Sequence, residues 1–143
     1  MKKYFTLSFI YLILALIGGV FYREFTKAFE FTGKTTLSIV HVHFFVLGVV
    51  LFLIIAILNH LINLEQNKDF KVFLILYNIS LPFIVVMFLT RGIIQVLDLS
   101  LSPAINSMIS GIAGVSHFML GGSLIFLFVL LIKSQKDKLT KTN

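Results

Sequence analysis

Long apolar runs alternate with short polar segments along the whole chain, and four of these runs are long enough to cross a lipid bilayer. A spanning helix needs about 20 predominantly apolar residues. The pattern therefore predicts an all-α fold in which residues 1–143 form one polytopic membrane domain, a bundle of four transmembrane helices. The predicted helices cover residues 4–22, 37–62, 72–89 and 103–132.

Proline and serine mark where these helices are expected to bend or begin. Pro82 lies inside the third run and lacks a backbone N–H, which predicts a kink there. Ser102 and Pro103 suit the N-cap and the first position of the last helix. Residues 92–102 alternate loosely between apolar and polar, so we expect them to lie on the outer surface of the membrane.

Composition and charge agree with a membrane protein. Of the residues, 58% are hydrophobic and only 13% charged, whereas about a quarter are charged in ordinary soluble domains. The net charge of +6 would suggest nucleic acid as a partner of a soluble protein, but here the charges flank the apolar runs. The absence of cysteine excludes disulfides, cysteine zinc sites, iron–sulfur clusters and the covalent attachment of c-type haem.

The distribution of Lys and Arg predicts the orientation of the helices, because cationic loops stay in the cytoplasm. One side of the predicted bundle carries Lys2, Lys3, Lys68, Lys71, Lys133, Lys136, Lys138 and Lys141. The other side carries Arg23, Lys27, Lys34 and Arg91. Both termini are therefore expected to be cytoplasmic, and the loops that follow the two arginines are expected to face outward.

Two segments resemble each other. HFFVLGVVLF (43–52) aligns without gaps to HFMLGGSLIF (117–126) and matches it at one His, two Phe and one Gly. Each segment follows a predicted helix that ends in arginine. A two-plus-two helix duplication is one interpretation, and chance matching of apolar residues is the other.

Three histidines and two arginines are expected in one leaflet. At 1.5 Å per residue, His41 and His43 lie about 7–11 Å below the outer start of the second helix. His117 also falls in the outer half of the fourth helix, while Arg23 and Arg91 end their helices at the outer boundary. Ionisable residues inside a membrane are rare, and they mark candidate functional sites.

Small residues accompany these histidines on the same helix faces. Gly114 and Gly121 lie at −3 and +4 from His117, and Gly48 lies at +7 from His41. Glycines beside a histidine allow a flat macrocycle to approach the backbone. His43 points about 200° away from His41, so the two cannot serve one centre.

This combination predicts non-covalent haem b with two histidine ligands. Neutral imidazole is an axial ligand of haem iron, and arginines suit the propionates. His117 is expected to be one ligand, and His41 or His43 the other. Arg23 and Arg91 would bind the propionates, and Gly48, Gly114 and Gly121 would flank the ring.

Other interpretations stay open. The HVH segment could bind copper, the chain could handle a small solute, or it could be a cofactor-free helical module for a partner protein. Single histidines and small residues also serve ordinary helix packing, and arginines at helix ends often reach lipid head groups.

Turnover of a substrate has little support in the sequence. The chain has no nucleophile elbow, no phosphate-binding glycine loop and no pair of carboxylates within the apolar runs. Two histidine ligands would leave the iron no open position, which favours electron transfer, or sensing or handling of haem. We expect a homo-oligomer, with a quinol or a redox protein as an electron partner and no nucleic acid.

The segment IVHVHFFVLG resembles a family of short, four-helix bacterial membrane proteins of unknown function. YREF, FTGKTTL, RGIIQVL and SGIAGVSHFMLG extend the resemblance over most of the chain. It implies a multi-pass protein of the bacterial cytoplasmic membrane.

The same HVH segment also resembles histidine-bearing helices of haem–copper oxidase subunit I, over about ten residues. This resemblance implies low-spin haem ligated from separate helices, by His41 or His43 with His117. The oxidase's twelve-helix core, its copper-ligating histidine cluster and the tyrosine bound to that cluster are absent here. Oxygen reduction and proton pumping are therefore not implied.

Overall fold

The computed structural model describes residues 2–142, with side chains through Gln135, and these residues are helical apart from short connections. Four helices are long and apolar enough to cross a membrane, which confirms the predicted all-helical fold with four candidate spans. A 3₁₀ turn, Leu64–Gln66, precedes the third helix. The long helices are α1 (Lys2–Ala28), α2 (Leu37–Ile62), α3 (Lys68–Val96) and α4 (Pro103–Thr142).

Consecutive helices run antiparallel, with α2 and α3 adjacent in the middle of the bundle. Helix α1 packs along α2, and α4 packs along α3. We call the end that carries Arg23 and Arg91 the arginine end, and the opposite end, with Lys2 and the turn at 63–67, the terminal end. Both the HVH segment and His117 lie in the half nearer the arginine end.

Hydrogen bonds join the start of α2 to the end of α3 at the arginine end. The Thr35 hydroxyl donates to the Gly92 carbonyl at 3.1 Å, and the Thr36 hydroxyl donates to the Phe88 carbonyl at 2.8 Å. The Thr36 amide donates to the Gln95 side-chain oxygen at 2.8 Å. These bonds satisfy polar groups that would be costly to leave unpaired in a bilayer, and they fix α2 against α3.

Three of the four observed helices are longer than the predicted apolar runs. Helix α1 continues to Ala28, α3 to Val96 and α4 to Thr142, so residues 92–96 belong to α3 and residues 97–102 form the connection to α4. Backbone hydrogen bonds continue where side chains become polar, because hydropathy marks the part of a helix that lies in lipid and not the helix end. Helix α3 is continuous through Pro82. Ser102 accepts a hydrogen bond from the Ile105 amide at 3.4 Å, as expected for a cap.

Helix α2 is interrupted by a π-helical segment, Phe44–Val50, directly after His43. Two hydroxyls from neighbouring helices donate to its carbonyls: Tyr77 to Leu47 at 2.7 Å and Ser8 to Val49 at 3.1 Å. A π-helical turn is wider than an α-helical turn, and such segments are frequent at functional sites. The flanking helices therefore hydrogen-bond directly to the irregular part of α2.

Aromatic side chains pack the terminal half of the bundle. Tyr11 stacks on Phe52 with ring centroids 5.5 Å apart, and Tyr77 contacts both Phe52 and Phe73. In contrast, most of α4 between residues 103 and 118 is exposed. The histidines therefore lie in the more open half of the molecule.

Candidate functional site

The two histidines of the HVH segment face different neighbours, as their spacing predicts. A Cβ built on Gly19 of α1 would lie 3.7 Å from the Cβ and Cγ of His41. The His43 ring instead meets Phe88 of α3 edge-on, with centroids 4.7 Å apart and an interplanar angle of 67°. Only His43 therefore faces α3 and the side on which α4 packs.

His117 of α4 contacts the same phenylalanine. Its ring centroid lies 5.5 Å from that of Phe88, at an interplanar angle of 77°. Because both distances share the Phe88 centroid, the imidazoles of His43 and His117 cannot be farther apart than the sum of the two. The structure thus brings together two histidines from α2 and α4 around one side chain of α3.

Both imidazoles are held by their own helices through Nδ1. His43 Nδ1 lies 3.0 Å from the Ile39 carbonyl, and His117 Nδ1 lies 2.8 Å from the Ala113 carbonyl. A carbonyl can only accept, so Nδ1 carries a proton, and in the neutral form of the ring Nε2 is the nitrogen with the lone pair. This is the tautomer that metal-ligating histidines use, with the second nitrogen oriented by a hydrogen bond.

His41 lacks this arrangement. Its Nδ1 is buried and has no hydrogen-bond partner among the residues that the structure describes. The ring lies on the α1 side of α2, away from Phe88 and His117. His41 and His43 are therefore distinct in both direction and hydrogen bonding.

The two arginines also separate. Arg91 donates to the Asn106 side-chain oxygen and, at 3.4 Å, to the Ser110 hydroxyl. Ser110 lies two turns before His117 on the same face of α4, about 10 Å towards the arginine end. Arg23 extends from α1 with a side chain 79% exposed, and its Nε lies 3.7 Å from Glu24. Arg91 of α3 therefore contacts the face of α4 that carries His117. Arg23 of α1 instead contacts Glu24 of its own helix.

The three candidate glycines have different surroundings. A Cβ built on Gly114 or Gly121 would meet nothing within 4 Å, so the helix surface beside His117 is open there. A Cβ on Gly48 would lie 2.5 Å from Tyr11, because α1 packs closely against α2 at this point. Gly114 and Gly121 leave space beside a histidine, whereas Gly48 permits helix packing.

An apolar cavity of about 430 Å³ lies between α1, α2 and α3. Side chains of α1, α2 and α3 line it, including Phe21, Val40 and Pro82, and none of its lining residues is polar. It has no group that could ligate a metal. The cavity could therefore hold hydrocarbon but offers nothing to the chemistry of the histidines.

The group at the arginine end, which we call the imidazole pair site, consists of His43, His117, Phe88, Arg91 and Ser110. It has two nitrogen lone pairs for a metal, and no cluster of three or more His, Cys, Asp or Glu able to hold an ion occurs in the described part of the chain. Two histidines would be enough to hold haem, whose remaining iron ligands come from the porphyrin, whereas a copper ion would need further protein ligands.

Sequence reasoning placed Ser110 on the His117 face but missed Phe88, Asn106 and the contact of Ser110 with Arg91. Phe88 is one of 16 phenylalanines, and nothing in its neighbourhood sets it apart. Asn106 could have been found as well, because it precedes His117 by three turns on the same face. The role of Asn106 and Ser110 depends on the contact with Arg91, which only the packing of α3 on α4 creates.

Comparison with known proteins places the chain in a family. The model of the family described as "Protein of unknown function (DUF2871)" matches residues 1–134. The chain belongs to this family. The matched region includes His43, His117 and Arg91, but the family description assigns no activity to these residues. No curated protein and no solved structure matches the chain, so the likeness to haem–copper oxidase subunit I stays a prediction.

Proposed function

We propose that this protein is a membrane haem b protein in which His43 and His117 are the axial ligands. The observation that carries the proposal is the approach of two imidazoles from α2 and α4 to Phe88, each with Nδ1 bonded to a carbonyl of its own helix. Bound haem would supply reversible one-electron chemistry. The chain's own residues would bind, orient and shield it.

Arg91 and the glycines of α4 support the same assignment. The guanidinium of Arg91 lies on the His117 face, where it could donate to an anionic propionate. The open surface at Gly114 and Gly121 leaves room for a flat ring beside His117. We assign no such role to Arg23 or Gly48, because their contacts lie elsewhere.

Electron transfer is the activity that this ligation favours. When two protein side chains hold both axial positions, the metal has no vacant position for a substrate. A sensor or carrier of haem would use the same ligands, and a measured midpoint potential with reversible reduction would favour the electron carrier. The homo-oligomer and the quinol or redox partner stay predictions.

The haem assignment is tested by absorption spectra of protein purified from cells supplied with haem. The wild type should show a Soret band and a low-spin reduced spectrum. His117→Ala and His43→Ala should lose both. His41→Ala and His60→Ala are matched controls that should retain them, because His41 faces α1 and His60 lies near the terminal end of α2.

A colourless wild type would overturn the haem assignment, and loss of the spectrum in His41→Ala but not in His43→Ala would overturn the choice of ligand. Elemental analysis of the same samples separates haem iron from copper. A protein without either metal would indicate the cofactor-free helical module.

We also propose that the arginine end faces the extracytoplasmic side of a bacterial cytoplasmic membrane, with both termini in the cytoplasm. The excess of lysine at the terminal end supports this orientation. The chain has no cysteine, so single cysteines can report topology directly. In intact cells a membrane-impermeant maleimide should label Ser102→Cys but not Gln66→Cys; the opposite result would reverse the orientation.

A further inference from the structure

We propose that Phe88 is a positioning residue that sets the orientation of the His43 and His117 imidazoles. Only the consequence that we draw for the haem-bound protein rests on the proposed function. The structural basis of the inference is independent of haem, because both ring contacts exist in the chain itself.

Each imidazole has one constraint from its own helix and one from Phe88. The Nδ1–H bond to a carbonyl fixes one corner of the ring, but the ring can still pivot about that bond. The edge-to-face contact with Phe88 limits this pivot, since aromatic pairs prefer tilted geometries of this kind. One phenyl ring therefore restrains two imidazoles that belong to different helices.

Phe88 is itself held firmly. Its side chain is only 7% exposed, and its carbonyl accepts the Thr36 hydroxyl that joins α3 to the start of α2. A rigid neighbour is what a positioning residue requires, because ligands must be supported by side chains that cannot move. Arg91 follows Phe88 by one helical turn, so the same part of α3 serves both the imidazoles and the proposed propionate site.

The consequence for bound haem is electronic. Groups that orient axial ligands tune the metal, because they change ligand basicity and ring direction. Removing the phenyl ring would free both imidazoles to pivot while leaving their Nδ1 bonds intact. The low-spin signal of the iron should then change even though both ligands remain.

The test compares Phe88→Leu with Phe73→Leu. Leucine keeps an apolar side chain but removes the ring, and Phe73 is a fully buried phenylalanine of the same helix, in the terminal half. In haem-free protein, nuclear Overhauser contacts from the imidazole C–H protons of His43 and His117 to protons of their own helices should weaken in Phe88→Leu only, because rings that pivot no longer keep a fixed distance to those protons. In haem-loaded protein, Phe88→Leu should shift the largest g value of the low-spin electron paramagnetic resonance spectrum, while Phe73→Leu matches the wild type.

The outcomes separate the two proposals. A wild type without haem would overturn the proposed function, and weakened Overhauser contacts between the imidazoles and their own helices in Phe88→Leu would still support positioning by Phe88. Wild-type Overhauser contacts and wild-type g values in Phe88→Leu would overturn positioning and leave the proposed function standing. Should Phe88→Leu fail to fold, Phe88→Met carries the same expectations, because methionine fills irregular space.

Discussion

Replacing Gly48 by alanine should force α1 away from α2 and destabilise the bundle. Gly48 lies in the π-helical segment, and a Cβ built there would lie 2.5 Å from both Cβ and Cγ of Tyr11. Non-bonded carbon atoms prefer separations of about 3.5–4.0 Å. The methyl group would therefore start about 1 Å too close to Tyr11.

Tyr11 cannot easily retreat from this clash. Its ring stacks on Phe52 at 5.5 Å, and its hydroxyl donates to the Asn78 side chain at 2.9 Å. Overpacking a well-packed site costs about 1–3 kcal/mol, and disturbing the hydrogen bond costs about 1 kcal/mol more. Alanine offsets about 1 kcal/mol of this through its better helix propensity. The net loss of unfolding free energy should be about 1–3 kcal/mol.

Gly122→Ala is the matched control. A Cβ at Gly122 would meet nothing within 4 Å, so the substitution should be neutral or stabilise the helix by up to about 1 kcal/mol. Equilibrium unfolding in mixed micelles with increasing sodium dodecyl sulfate, followed by helical circular dichroism, measures both variants. If Gly48→Ala unfolds no earlier than Gly122→Ala, the close approach of α1 and α2 at Gly48 is refuted.

Three further predictions concern hydrogen bonds. Tyr77→Phe should lower the unfolding free energy by about 1 kcal/mol in the same micelle titration, because the Leu47 carbonyl loses its donor; unchanged stability would argue against this bond. The pKa of Glu65 lies below its ordinary value of 4.5 because Tyr4 donates to the carboxylate, so Tyr4→Phe should raise it in a carbon-13 NMR titration. The stability from this bond is complete above pH 4.5 and is lost as the pH falls through the lowered pKa, so the two proteins should converge in acid. Ser102→Ala should cost about 0.5 kcal/mol, at the low end for an N-cap, and an equal unfolding midpoint would contradict the cap.

The four helices could be predicted because a bilayer imposes both length and apolarity on a spanning segment. The ends of these helices could not be predicted, because the apolar pattern does not show how far a helix continues beyond the apolar run. Helix α3 shows this, since Gly92–Val96 continue it beyond the apolar run. The π-helical segment was also beyond prediction, because its carbonyls depend on hydroxyls of α1 and α3 that become neighbours only in the fold.

The site was predictable in part. Helical spacing correctly separates His41 from His43, but which of them faces α4 depends on the order of the helices around α2. Gly48 shares the side of α2 that carries His41, as its spacing predicts, yet α1 covers that side. The contact of Phe88 with both imidazoles has no signature in the sequence, because it requires three helices to meet.

The wide turn in the middle of α2 gives this helix a tolerance for changes in length. A chain shortened by one residue between Phe44 and Val50 could rewind that stretch as regular α-helix and leave the residues on either side pointing as before. The same deletion within Leu51–Ile62 would turn the two parts of the helix by about 100° against each other and move half of its contacts to the wrong face. A deletion of one residue from this spanning helix should therefore be accepted at one place, immediately beside the histidine that meets Phe88.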